Sequence, residues 1–124
     1  MLAAARARLA RVTPAEAAAA QAAGALIVDT RDSGDRAAEG VIPDSIWFPR
    51  NVLEWRADPT SEAADPRIAG TDRRLIVVCN DGYSSSIAAA TLQDLGCDNA
   101  TDLIGGYRAW RADGRPIVSL EDER

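Results

Sequence analysis

Two apolar runs dominate the chain: Ala25-Leu26-Ile27-Val28 and Leu75-Ile76-Val77-Val78. Both are continuous rather than alternating, as in a parallel strand covered on both faces. Helical patterns flank them. Thr13-Pro14-Ala15-Glu16 predicts a helix start, with Thr13 as cap, Pro14 in the first turn and Glu16 completing a capping box. The alanines that follow favour helix, and Gly24 stops it. After the strand at 25–29, Asp32 or Ser33 caps a short helix through Glu39, closed by Gly40. Pro43-Asp44 predicts a turn, 45–48 a short strand, and Asn51 to Arg56 a helical turn or two. Residues 58–72 read as an irregular connection. A loop and a helix from Ser86 follow the second run, with Ile87, Ala90, Leu92 and Leu95 as the apolar face and Gly96 as the stop. Asn99 to Leu103 reads as a last core strand. Gly105-Gly106 then turns into a helix carrying Tyr107 and Trp110, which Gly114 ends. The charged tail from Ser119 is expected to fray. Strands alternating with helices predict an α/β fold with a central, mainly parallel sheet.

Length and charge narrow this picture. A chain of 124 residues is most simply one domain, and no internal repeat or linker divides it. Nineteen acidic and fourteen basic residues leave a net charge of −5, with no basic block of the kind that binds nucleic acid. No apolar run approaches the ~20 residues of a membrane span. Arg6, Arg8 and Arg11 interrupt the N-terminal alanines, so this stretch does not read as a secretory signal. It reads as a docking helix, with a basic amphipathic surface helix as the alternative. Cys79 and Cys97 form no C-x-x-C pair. A reducing cytoplasm without a structural disulfide is the expectation.

The chain contains no histidine. That excludes Ser-His-Asp and Cys-His nucleophile pairs and histidine-bearing zinc sites. Cys79 sits between the second apolar strand and its helix, where ligands of open α/β sheets bind. Amides of the loop and first helical turn favour a thiolate there. A small buried cysteine is the alternative reading. Without imidazole, any stabilisation of the thiolate falls to backbone dipoles, hydroxyls or arginines.

Four segments carry a resemblance: TPAEAAAAQAAGALIVDTRD, AEGVIPDSIWFP, LIVVCNDGYSSSIAAATLQDLG and ATDLIGGYRAW. In this order and spacing the chain resembles single-domain rhodaneses, the thiosulfate sulfurtransferase-like proteins, from Thr13 to about Val118. The resemblance implies a three-layer α/β domain with helices on both faces of the sheet. It implies a sulfurtransferase that carries sulfane sulfur as a persulfide on Cys79. The loop residues Asn80, Asp81, Gly82, Tyr83, Ser84 and Ser85 would bind the substrate. The partners implied are a small sulfur donor and a thiol acceptor, with no metal or organic cofactor. The alternative is a non-catalytic module of this fold that binds a partner or senses persulfide. A related cysteine phosphatase or arsenate reductase would need an arginine six positions after the cysteine. Ser85 stands there.

The chain departs from the family pattern in places. Val41, Asp44 and Ser45 replace the usual His, Gly and Ala, and local repacking is expected. The family loop reads Cys-x-x-Gly-x-Arg; here Ser84 occupies the arginine position and Asp81 adds negative charge. Both changes disfavour thiosulfate, a dianion. Tyr83 reads as a pocket wall, and Ser84 to Ser86 as helix caps, one of which is placed to donate to the Cys79 sulfur. Cys97 reads as a buried structural residue rather than a resolving thiol. Asp29 and Arg31 orient loops, with Glu39 as a partner for Arg31. Trp47, Trp55 and Trp110 read as core or pocket-wall anchors. Arg50 and Arg56 read as solvated surface cations, with a place at the pocket mouth as the alternative.

Overall fold

A computed structural model of the chain describes residues 1–123. Four parallel strands form one sheet in the order β2-β1-β3-β4: β1 Leu26–Asp29, β2 Ile46–Trp47, β3 Leu75–Val78 and β4 Ala100–Asp102. The two continuous apolar runs are the central pair, registered from Leu26 on Leu75 to Asp29 on Val78. Their side chains alternate between two cores. Leu26, Val28, Leu75 and Val77 pack with Leu53, Ala88, Ala89 and Leu92, from α4 (Leu53–Ala57) and α5 (Ser84–Asp94). Ile27, Ile76 and Val78 pack on the other face with Ala17, Tyr107 and Trp110, from α2 (Pro14–Ala22) and α6 (Gly106–Ala112). This is the three-layer arrangement that the strand pattern predicts.

Local rules account for most boundaries. Thr13 caps α2 in a reciprocal box with Glu16. Asp32 caps α3 (Ser33–Glu39) through the Asp35 amide, and Gly40 ends it. Asp44 adopts φ 63°, a left-handed conformation that aspartate tolerates where most residues do not. That accommodates its place at a family glycine position. The N-terminal helix α1 (Leu2–Ala7) docks against α5, and Val12 extends the sheet beside Leu103. No helix of the described residues is long and apolar enough to cross a membrane.

The elements and core differ from the sequence reading at several points. Helix α5 begins at Ser84 rather than Ser86, and its buried residues are Ser85, Ser86, Ala88, Ala89, Ala90 and Leu92, with Ile87 only half-buried. The helix is wedged between the sheet, α1 and α4, so small residues on more than one side are covered. The tail forms a short helix, α7 (Leu120–Glu123), where fraying was expected; Arg124 lies outside the described residues. Trp47 and Trp55 are 38% and 53% exposed, so of the three tryptophans only Trp110 is a core anchor.

The Gly105-Gly106 turn decides where Cys79 sits. Both glycines have positive φ, at 76° and 66°. A Cβ on Gly106 would lie 2.5 Å from the Cys79 carbonyl oxygen and 2.6 Å from that of Asn80. This approach lets the first amides of α6 reach those carbonyls: Tyr107 N–H donates to Cys79 O at 2.8 Å and Arg108 N–H to Asn80 O at 3.1 Å. Gly106→Ala is therefore expected to destabilise the domain by roughly 2–4 kcal/mol, through steric overlap and backbone strain together. Chemical denaturation of the two proteins measures this. An unchanged midpoint would mean that the close approach is dispensable.

Candidate functional site

Cys79 follows β3 directly and, 8% exposed as a residue, lines a cleft. The chain then turns through Asn80, Asp81, Gly82 and Tyr83 into α5. Gly82 takes φ 85° and donates its N–H to Cys79 Sγ at 3.1 Å. A Cβ on Gly82 would meet the Gly105 nitrogen at 2.8 Å, so the loop is pressed against the Gly105-Gly106 turn.

Two opposing influences set the acidity of this thiol. Burial, the largest, disfavours the thiolate. The hydroxyl and amide of Ser85, the hydroxyl of Ser84 and the amide of Gly82 together outweigh it and bring the Cys79 pKa below its ordinary value. The Ser85 hydroxyl has only one proton, and its oxygen lies 2.8 Å from Asp102 Oδ2. Ser86 Oγ lies 2.7 Å from the same carboxylate oxygen. When the Ser85 hydroxyl is turned toward Asp102, the sulfur keeps the Gly82 and Ser85 amides and the Ser84 hydroxyl.

The cleft has a volume of about 500 Å³. Cys79, Asn80, Asp81, Tyr83 and Ser84 line it. Gly82 and Ser85 are buried and stand behind the sulfur instead of facing the cleft. Tyr83 is 64% exposed and forms part of the wall. The charge of Asp81 is directed outward, to Arg108 Nη1 at 2.8 Å and 3.0 Å. It opposes an anion less than its place in the loop suggests. Asn80 donates to Asp35 Oδ2 at 2.8 Å, while its own Oδ1 is buried with no partner among the described residues. Arg50 lines the cleft, paired with Glu54. Arg56 points elsewhere, to Asp65.

Several residues reach the site from distant segments that the sequence does not link to it. Thr30, Asp32 and Asp35 come from the end of β1 and the start of α3. Thr30 sits beside Cys79 because its amide and hydroxyl both bond Val78 O at 2.9 Å. The Asp29-Thr30-Arg31 strand end was the available signal for this second wall. Asp102 and the N-terminal arginines Arg6 and Arg11 carry no local signal.

Arg31 does not pair with Glu39. Its guanidinium is held by Asp29 at 2.9 Å and by Gly40 O at 2.8 Å, and it stacks on Tyr107 with 3.7 Å to the ring centroid. Glu39 instead meets Arg111 at 3.2 Å. Arg31 therefore braces β1; it also lines the cleft, and its Nη1 has no hydrogen-bond partner among the described residues. Cys97 is fully buried, and its Sγ–H donates to Ile68 O at 3.0 Å. Burial raises its pKa.

These opposite environments predict opposite reactivity. Alkylation by iodoacetamide should modify Cys79 alone in the folded protein. The pH dependence of its rate should inflect below the reference of about 8.5. Peptide mass mapping against pH measures both, and an inflection at or above the reference would remove the case for an activated thiol.

Comparison with known proteins agrees with this architecture. The family model of the rhodanese-like domain matches residues 13–113. A thiosulfate sulfurtransferase GlpE of Pseudomonas savastanoi pv. phaseolicola is 34% identical over 102 residues, covering 82% of this chain and 87% of that protein. A sulfurtransferase of Allochromatium vinosum is 32% identical, covering 77% of this chain and 80% of the relative. A solved structure from Rhodopseudomonas palustris, of a protein of unknown function described as a possible tyrosine phosphatase, is 35% identical. It superposes with a TM-score of 0.88, covering 94% of this chain and 90% of its own. The match to the family model over most of the chain, on a fold with this strand order and this cysteine loop, places the protein in the rhodanese-like domain family.

Proposed function

We propose that the protein is a sulfurtransferase that carries sulfane sulfur as a persulfide on Cys79. The observation that carries this reading is the Cys79 sulfur at the cleft, with the Gly82 amide donating to it and no imidazole in the chain. The sulfurtransferase relatives support the reaction class. The chemistry consists of two displacements. The Cys79 thiolate attacks the outer sulfur of a donor, and the donor's S–S bond breaks. The remainder of the donor leaves with the bonding electron pair, and Cys79 holds a persulfide. An acceptor thiolate then attacks the outer sulfur, and the Cys79 thiolate departs. No external oxidant, reductant or general base is required, since the nucleophile and both leaving groups are sulfur anions or similarly stable anions. Loop amides stabilise the charge on sulfur at each stage.

The cleft favours a donor of low charge density. Asp32 and Asp35 line it, the loop itself carries no guanidinium, and the two arginines of the lining, Arg31 and Arg50, are already paired with Asp29 and Glu54. An organic persulfide suits this setting better than the thiosulfate dianion that appears in some relatives' names. Phosphate-ester hydrolysis, suggested by the name of the Rhodopseudomonas protein, fits this loop less well. The position six residues after Cys79 is Ser85, whose hydroxyl faces Asp102 rather than supplying a cationic clamp.

Two experiments test this reading. Intact-mass analysis after incubation with glutathione persulfide should show one sulfur atom added to the wild type and none to Cys79→Ser, while Cys97→Ser loads normally. Loading of the Cys79→Ser protein, or loss of loading only in Cys97→Ser, would move the carrier away from Cys79. Failure of every donor would leave the non-catalytic binding module as the better reading. In the second experiment, the wild type should turn over thiosulfate less efficiently than an organic persulfide. Ser84→Arg should raise kcat/KM for thiosulfate by roughly 10- to 100-fold, the worth of one charge-assisted contact. Efficient thiosulfate turnover that the arginine leaves unchanged would show that Arg50 already binds the anion.

A further inference from the structure

The loop is gripped from behind as well as from α6. On the side away from the cleft, two guanidiniums converge on one carbonyl: Arg6 Nη2 donates to Gly82 O at 2.8 Å and Arg11 Nη2 at 3.3 Å. Arg6 also donates through Nε to Ser86 Oγ at 3.1 Å, and its guanidinium lies 5.6 Å from the Tyr83 ring centroid. Arg11 forks onto Asp102, at 2.8 Å and 3.2 Å. Asp102 is fully buried and in turn takes the Ser85 and Ser86 hydroxyls. Both arginines precede residue 13, where the match to the family domain begins.

Gly82 therefore stands between two sets of partners. Its N–H meets the Cys79 sulfur, and its carbonyl meets the two cations. Holding Gly82 O fixes one side of the residue whose own N–H meets the sulfur. Removing the two cations frees a glycine, the residue with the most conformations available, to rotate out of place.

We infer that Arg6 and Arg11, supplied by a segment outside the matched domain, are positioning residues that hold Gly82 where its N–H stabilises anionic sulfur on Cys79. Neither touches the reacting atoms; both act through Gly82 and through the Ser86 and Asp102 contacts behind it. Arg8, on the same segment, pairs with Asp94 at the surface and has no such role. The inference rests on the reading of Cys79 as the reacting thiol.

Alkylation of Cys79 tests it without a sulfur donor. Arg6→Ala is the primary variant, because Arg6 is only half-buried and its loss strands no buried carboxylate. It should slow alkylation at neutral pH roughly three- to tenfold and move the inflection to higher pH, with little change in thermal unfolding. Arg6→Lys, which keeps a charged donor, should recover most of the rate, and Arg8→Ala should match the wild type. Arg11→Lys preserves a cation for Asp102, and in combination with Arg6→Ala it should slow alkylation further. An unchanged rate and inflection in that double variant would overturn the inference. So would a loss of rate that tracks thermal destabilisation and that lysine does not rescue, since that would be a purely structural role. If the wild type takes up sulfur from no donor, the sulfur-transfer reading fails alone, and the alkylation comparison still decides this one.

Discussion

The site depends on carbonyls being drawn out of the Cys79 loop. A loop of a few residues that concentrates N–H groups on one sulfur must send its C=O groups elsewhere, and each needs a partner when buried. Cys79 O and Asn80 O go to the first amides of α6, and Gly82 O goes to the arginines of the N-terminal segment. These bonds fix the backbone on either side of the Asp81–Gly82 peptide, whose N–H meets the sulfur. The same bonds satisfy α6, whose first amides have no partner within the helix. The loop and the helix therefore complete one another. The two glycines at 105 and 106 are what allow the backbones close enough for this.

Buried carboxylates hold the strand ends on either side of this loop. Asp29 takes Arg31 and Arg36 at the end of β1, and Asp102 takes Arg11 at the end of β4. All the basic residues of the chain are arginine. The planar fork of arginine suits such work, since one side chain reaches two acceptors in fixed geometry. Arg31 bridges Asp29 and Gly40 O, and Arg11 bridges Asp102 and Gly82 O. Removing one partner of such a pair costs about 3–5 kcal/mol, because the other charge is left buried and alone. The ion pairs specify where the loops sit more than they add to stability, since desolvation of the charges offsets much of their attraction.

The parts of this arrangement that could be read from the sequence are local in the chain. The two apolar runs are contiguous, so the central strands could be identified without knowing their neighbours. Cys79, Gly82 and the Ser84–Ser86 turn lie within eight residues, so a strand, a loop and a helix start could be recognised together. Asp102 and Arg11 could not be found this way. They are 91 positions apart, and only the parallel pairing of β4 and the docking of the N-terminal segment brings them together. Asp81 was misleading for the same reason: its charge is decided by Arg108 on α6, not by its loop neighbours. Trp47 and Trp55 were misjudged because large apolar side chains are common on surfaces as well as in cores. Trp47 finds a polar partner in Arg31 O at 2.8 Å and a stacked guanidinium in Arg36, so its partial exposure is compatible with a fixed position.

The balance of charge around Cys79 also bears on why this loop suits sulfur better than phosphate. A phosphoryl transition state spreads charge over three equatorial oxygens and calls for cations in direct contact. Here Arg6 and Arg11 lie behind the loop, while the cations that line the cleft, Arg31 and Arg50, are engaged by Asp29 and Glu54 and stand beside Asp32 and Asp35. That arrangement stabilises a single soft anion at the position of Sγ and offers little to a polyanion above it. A thiolate and a persulfide each place one negative charge on sulfur, within reach of the inward amides. At the cleft Arg31 and Arg50 stand against Asp32 and Asp35, each arginine already holding a carboxylate, so the lining offers no uncommitted cation to a dianion. On the proposed reading, a donor of low charge needs none, and the Gly82 amide meets the sulfur directly.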